Sequence, residues 1–228
     1  MLFSFSYRPY VAVIGDIRNS KELADRNDVQ EKLKQVLERI NETYMKDISA
    51  KFMITLGDEF QGLLCGGNNI LNIIMDIQME MYPVSIRFGV GVGEITTIIN
   101  AEMAIGADGP GYYMARDAIE DLRHEELRNK SQSADIKIRI EDEEHQIEEL
   151  LNTTFSLMNI IQNNWTNRQR EIIVEYSRHG GSQSECAKRL GITQSSVQRS
   201  LNNGNYYAYK KAIDTVNNIL GEIGKVHV

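Results

Sequence analysis

The sequence of 228 residues has only two cysteines, three prolines, one tryptophan and four histidines. Cys65 and Cys186 stand far apart, which argues against a disulfide framework and for a reducing, cytoplasmic setting. With few prolines and 25% charged residues, the composition fits neither a fibrous nor a disordered chain. No apolar run approaches the length of a membrane-spanning helix, so no membrane partner is expected. Residues 1–10 lack the basic region and long apolar stretch of a signal peptide. His124, His145, His179 and His227 share no ligand spacing with each other or with the cysteines. Zinc is therefore not indicated, and no Ser/His/Asp order stands out.

Hydrophobic residues make up 42% of the chain, enough for a core and a small appended module. The net charge of -7 is unevenly spread. Residues 165–213 hold eight basic side chains (Arg168, Arg170, Arg178, Lys188, Arg189, Arg199, Lys210, Lys211) against Glu171, Glu175 and Glu185, a local +5 that leaves the remainder at -12. A basic C-terminal segment behind an acidic body suits a protein that touches a polyanion through one part only.

Hydrophobic periodicity supplies the element order. Residues 10–15 are apolar and β-branched, a buried strand ending at Asp16. Val29, Leu33, Val36, Leu37, Ile40 and Tyr44 share one helical face. Residues 52–56 and 60–65 read as a hairpin about Gly57-Asp58. A helix carrying Ile70, Ile73, Ile74, Ile77 and Met81 stops before Pro83. Residues 84–92 form a strand, 112–123 a helix, and 135–140 a last strand. The order β-α-β-β-α-β predicts an α+β fold: a ferredoxin-like (split βαβ) sheet with helices on one face. The acidic run at 141–144 marks the boundary. Two domains follow, residues 1–142 and an all-α region at 143–228.

In a split βαβ sheet the end of the first strand lies near the hairpin turn, so Asp16 and Asp58 converge. Two carboxylates without a basic partner repel, and a divalent cation such as Mg²⁺ would relieve that. Backbone N–H groups after Asp16 would face a polyphosphate. The hairpin Gly57-Asp58-Glu59-Phe60, with an Asp just after strand 1, resembles the palm of the nucleotidyl cyclases, both diguanylate (GGDEF) and class III. The fuller set, 15–20 (GDIRNS), 56–62 (LGDEFQG) and 87–91 (RFGVG), resembles the bacterial SatD family. The cyclase resemblance implies Asp16, Asp58 and the Ile17 carbonyl as ligands of Mg²⁺ or Mn²⁺. It further implies a nucleoside triphosphate near Arg18, Asn19, Ser20 and Gly57, and Arg116 as the arginine that neutralises phosphate charge. Where the cyclases carry an asparagine four positions before that arginine, and a lysine that reads a purine base, this chain has Tyr112 and Ile54. Leu56 replaces the first glycine of GGDEF.

Further on, Thr166 and Ser182 are predicted helix caps, and Ser182 with Glu185 forms a capping box. Gly191 supplies a left-handed turn, and Thr193 caps a third helix. Small Ala187, Gly191 and apolar Val197 resemble the helix-turn-helix of sigma-factor region 4 and LuxR-type regulators. That resemblance implies DNA contacts from Gln194, Ser195, Ser196, Gln198, Arg199 and Asn202 to base edges and phosphates. Arg168, Lys188 and Arg189 would add phosphate contacts. One such module binds weakly alone, so a homodimer is expected. The expected function is a DNA-binding regulator whose palm binds a nucleoside triphosphate with Mg²⁺. The alternatives are an active cyclase or phosphotransferase that uses the helical module for dimerisation, and a palm that only pairs two DNA-binding modules.

Overall fold

A computed structural model describes residues 3–23, 25–130, 134–141 and 145–224. The order is β1 (Tyr10–Ile17), a short 3-10 turn (Ser20–Glu22), α1 (Arg26–Thr43), β2 (Ile48–Leu56), β3 (Glu59–Leu64), α2 (Ile70–Met81), β4 (Ile86–Gly93), α3 (Pro110–Asn129) and β5 (Ile136–Ile140). Five helices follow: α4 (His145–Asn163), α5 (Asn167–His179), α6 (Gln183–Leu190), α7 (Gln194–Asn203) and α8 (Tyr206–Leu220). The class is mixed α+β, with one five-stranded mixed sheet in the order β2-β3-β1-β4-β5. β1 sits in the middle, antiparallel to β3 and β4, while β5 runs parallel to β4. A strand buried on both faces needs apolar residues throughout, and β1 is buried from Val11 onward.

Both faces of the sheet are covered by helix. Leu33, Val36, Leu37 and Ile40 of α1 and Ile70, Ile73, Ile74 and Ile77 of α2 join Val11, Val13, Phe60, Phe88 and Val90 in one core. On the opposite face Ala12, Ile14 and Leu63 meet Tyr112, Ala115 and Ile119 of α3. The sequence expectation placed helices on one face only. β4 explains the difference, because Gly89, Gly91 and Gly93 present no side chain to that face and so leave no hydrophobic signal. A Cβ at Gly89 would lie 2.1 Å from the Ala115 carbonyl oxygen, and one at Gly91 would lie 2.0 Å from that of Gly111. The α3 backbone therefore rests directly on β4.

The apolar core continues from the sheet into the C-terminal helices through Leu151, Phe155, Trp165, Ile172, Tyr209 and Val216. α8 packs on α2 and α4. A Cβ at Gly67 would sit 1.7 Å from the Leu220 carbonyl oxygen. The Trp165 indole donates to the Gly204 carbonyl at 2.7 Å and stands edge-on to Tyr209. Thr166 and Ser182 each complete a capping box, and Thr193 accepts from the Ser196 N–H. The boundary expected at residue 142 lies outside the described residues. Among the described residues no helix is long and apolar enough to cross a membrane.

Because α3 has no room to rise from β4, Gly89→Ala is expected to lower unfolding free energy by at least about 2 kcal/mol. Urea denaturation measures this, and an unchanged midpoint would mean that α3 is not seated on the strand as described.

Candidate functional site

At the C-terminal end of β1 the register aligns Glu59 of β3, Asp16 of β1 and Arg87 of β4 in one row. Directly paired residues share a face, and this face carries α3. The hairpin turn lies against the same strand end: the Ile17 N–H donates to the Asp58 carbonyl at 3.2 Å. Gly57 holds the turn with a left-handed φ of 65°. Its carbonyl accepts from the Gln30 side chain. The sequence thus brings residues 16 and 58 to one corner of the sheet. The Asp58 carboxylate is half-buried and makes no hydrogen bond or ion pair with the described residues.

Asp16 is different. It is 4% exposed and fully engaged. Arg87 Nη1 donates to its Oδ2 at 2.6 Å, and Arg123 Nη2 lies 2.9 Å from its Oδ1. Arg87 also donates from Nε and Nη2 to Glu126 at 2.9 and 2.6 Å. Glu126 accepts in turn from Arg18 Nε at 2.8 Å, and Arg18 Nη1 reaches Asp135 at 2.5 Å. The result is a strictly alternating chain: Arg123, Asp16, Arg87, Glu126, Arg18, Asp135. Three guanidiniums balance three carboxylates. Arg18 completes its donors on the Ser85 hydroxyl at 2.9 Å and the Ala134 carbonyl at 2.7 Å.

The balance favours the charged forms of Glu126 and Arg87. Burial would raise the Glu126 pKa, yet hydrogen bonds from Arg87 and Arg18 bring it below the ordinary carboxylate value. Burial would lower that of Arg87, and bonds to Glu126 and Asp16 raise it instead. A depressed folded pKa stabilises the fold fully above the ordinary glutamate value, about 4.3. That stabilisation is lost as pH falls through the lower folded value.

For Asp16 these contacts correct a premise drawn from sequence, that the two aspartates lack a basic partner. Both Asp16 oxygens already accept from guanidiniums, and a dication there would sit beside two positive charges. The donor set of Asp16, the Ile17 carbonyl and Asp58 does not fit Mg²⁺ or Mn²⁺. Among the described residues no three His, Cys, Asp or Glu side chains group to hold a metal ion. Arg18 was expected at phosphates, and its guanidinium is instead buried in the network. Asn19 takes a left-handed φ of 51°, and buried Ser20 opens a single 3-10 turn rather than α1. A long helix with free N–H groups does not begin there. Arg116 projects from α3 half-exposed, 3.6 Å from Glu59.

Sequence reasoning gave no role to Arg87, Arg123, Glu126, Ser85 or Asp135. Asp16 in a buried strand signals that it needs a partner. Only the pairing of β1 with β4 and the path of α3 say which partner it is.

The second set of residues lies on the C-terminal helices. Gln194, Ser195, Ser196, Gln198, Arg199 and Asn202 are all exposed on α7, while Val197 and Leu201 turn inward. Gly191 joins α6 to α7 with φ 64°, and buried Ala187 lets the helices cross closely. Arg168 pairs with Glu171, and Arg189 with Glu175. Lys188 and Arg199 are exposed without an ion pair among the described residues.

If Asp16 anchors a buried ion network, Asp16→Asn should cost about 3 kcal/mol, the low end for a broken buried pair, because Arg87 keeps Glu126 and Arg123 is partly exposed. Asp58→Asn should stay within about 0.5 kcal/mol, as for an unpaired surface side chain. Equal effects of the two in urea denaturation would contradict this assignment.

Several solved structures share features of this architecture. A bacterial light-regulated adenylyl cyclase aligns with 57% of this chain and 74% of its own, at 12% identity and a TM-score of 0.40. The dimeric guanylyl cyclase domain of the RhoGC fusion protein from the aquatic fungus Blastocladiella emersonii aligns with 48% of this chain and 72% of its own, at 18% identity and a TM-score of 0.34. A regulator of polyketide synthase expression from Bifidobacterium adolescentis aligns with 95% of this chain and 80% of its own, at 14% identity and a TM-score of 0.30. No curated protein sequence matches the chain. A family model matches residues 10–220, nearly the whole sequence, and the chain belongs to the SatD family.

Proposed function

We propose that this protein is a DNA-binding regulator, with α6 and α7 acting as a helix-turn-helix and the split βαβ palm acting as its regulatory body. The observation that carries this reading is the outward side of α7. The outward positions 194, 195, 196, 198, 199 and 202 hold amides, hydroxyls and one guanidinium, with no acid and no apolar side chain. Amide side chains match adenine edges, and an arginine matches guanine or phosphate. Phosphate attraction comes mainly from Lys188 and Arg199. Arg168 and Arg189 contribute less because Glu171 and Glu175 already partly neutralise them. A module of this size needs a second copy on a paired half-site, so the working form is a homodimer.

The reading as an Mg²⁺-dependent triphosphate site or an active cyclase is weaker. Its central ligand, Asp16, is bound on both oxygens by arginine.

Fluorescence anisotropy with a 30-bp duplex of mixed sequence, followed over salt concentration, tests the proposal. Affinity is expected to fall steeply with salt. Lys188→Ala and Arg199→Ala should each reduce the log–log slope by about 1. Gln198→Ala should leave the slope unchanged and alter which sequences are selected from a random pool. Salt-independent binding, or no binding at low salt, would rule the proposal out.

A further inference from the structure

Between the sheet domain and α5 lies a cleft of about 400 Å³. That is within the range of small-molecule sites, roughly 300–1,000 Å³. Its palm side is formed by Gln78, Tyr82 and Ser85, and its helical side by Asn163, Asn167 and Arg170. Met79, Val84 and Val174 give it an apolar wall.

The charges in this cleft do not cancel. Its two carboxylates already have cationic partners: Asp135 is held by Arg18, and Glu171 by Arg168. Arg170 has none among the described residues. Its guanidinium is positioned by aromatic faces, 4.6 Å from the Tyr82 ring centroid and 5.4 Å from that of Trp165. Nη2 donates to the Gln162 carbonyl at 2.8 Å, and Nε is buried without an acceptor. Nη1 makes no bond within the described residues and belongs to a side chain that lines the cleft. The cleft therefore combines one unneutralised cation, held rigid by aromatic rings, with side-chain amides, a hydroxyl and an apolar wall.

We infer that this cleft is a binding site for a small organic oxyanion, a carboxylate or a phosphate ester, whose charged group pairs with Arg170 Nη1. Tyr82 and Trp165 hold the guanidinium in place before the ligand arrives, so little side-chain freedom is lost on binding. The amides of Asn163 and Asn167 lie within the same lining to donate to the remaining ligand oxygens. The apolar wall takes the carbon skeleton. Such a ligand would touch the palm through Tyr82 and Ser85, and α5 through Asn167 and Arg170. α5 packs on both α6 and α7, so occupancy of the cleft bears on the orientation of those helices. This inference stands without the DNA-binding proposal, because the ligand contacts do not involve α7.

Trp165 is the only tryptophan and lies against Arg170, so its emission reports on the Arg170 guanidinium. The full-length protein is titrated with succinate, glycerol phosphate and neutral glycerol at constant ionic strength. A saturable change in emission with succinate or glycerol phosphate, and none with glycerol, is the expected result. Which of the two anions binds more tightly identifies the head group. Arg170→Gln should weaken binding by about 10- to 100-fold, the worth of a hydrogen bond to a charged group. Asn167→Asp guards against misfolding of that variant. It puts an acid in the first turn of α5, where the helix dipole favours it, and places negative charge in the cleft. It should keep the parent melting temperature and bind the anion at least about 10-fold more weakly. If neither anion changes the emission, or if both variants bind as tightly as the parent, Arg170 is only a stacking joint between the two parts. No arm uses DNA, so loss of DNA binding and loss of this site would be seen separately.

Discussion

The burial of Asp16 is the constraint around which this structure is arranged. A carboxylate at the end of the central strand, almost without solvent, needs compensation from fixed positive charge. Arg87 supplies it across the β1–β4 pairing, and Arg123 supplies it from α3. Each arginine then needs its own acid, which brings in Glu126, then Arg18, then Asp135. The alternation runs from Arg123 on α3 to the start of β5, where Ser85 and Asp135 border the cleft beside α5. Low local dielectric strengthens every link and makes each missing partner costly.

That network changes the meaning of a motif. An aspartate after strand 1 and a Gly-Asp-Glu-Phe hairpin resemble a cyclase palm, and the corner they form is present: the Asp58 carbonyl is bonded to the Ile17 N–H. The chemistry at that corner is not that of a metal centre. The corner holds two carboxylates, those of Asp16 and Asp58. Here one of them faces arginines, and the other stands alone in the turn. This strand end fastens β1, β4, α3 and the start of β5 together.

The helical part is joined to the sheet by more than a connecting segment. α8 returns to α2, with its backbone against Gly67, and Trp165 and Tyr209 fill the space beneath α4. This continuity gives a physical route from the palm to α7. A change at Tyr82 meets α5 directly, because its hydroxyl donates to Asn167 at 2.7 Å, and α5 packs on α6 and α7. A ligand or contact that prefers one packing of α5 would, by that preference, bias the helices that α5 touches.

The local elements were legible in the sequence because they depend on near neighbours. The β-branched run of β1, the apolar stripes of α1 and α2, the hairpin turn at Gly57 and the caps at Thr166, Ser182 and Thr193 follow from periodicity and hydrogen bonding within a few residues. The exposed polar side of α7 follows in the same way. α3 was legible only in part, because the face it covers is made of glycines, and the absence of a side chain carries no periodic signal. The site partners were not legible at all. Asp16 and Arg87 are 71 positions apart, and Arg18 and Asp135 are 117 apart. Sequence fixes that a buried aspartate must be neutralised, but a cation from solution and a guanidinium from the chain satisfy that demand equally well. Only the strand register and the seat of α3 on β4 chose the guanidinium, because ion pairing depends on distance in space and distance along the chain does not reveal it.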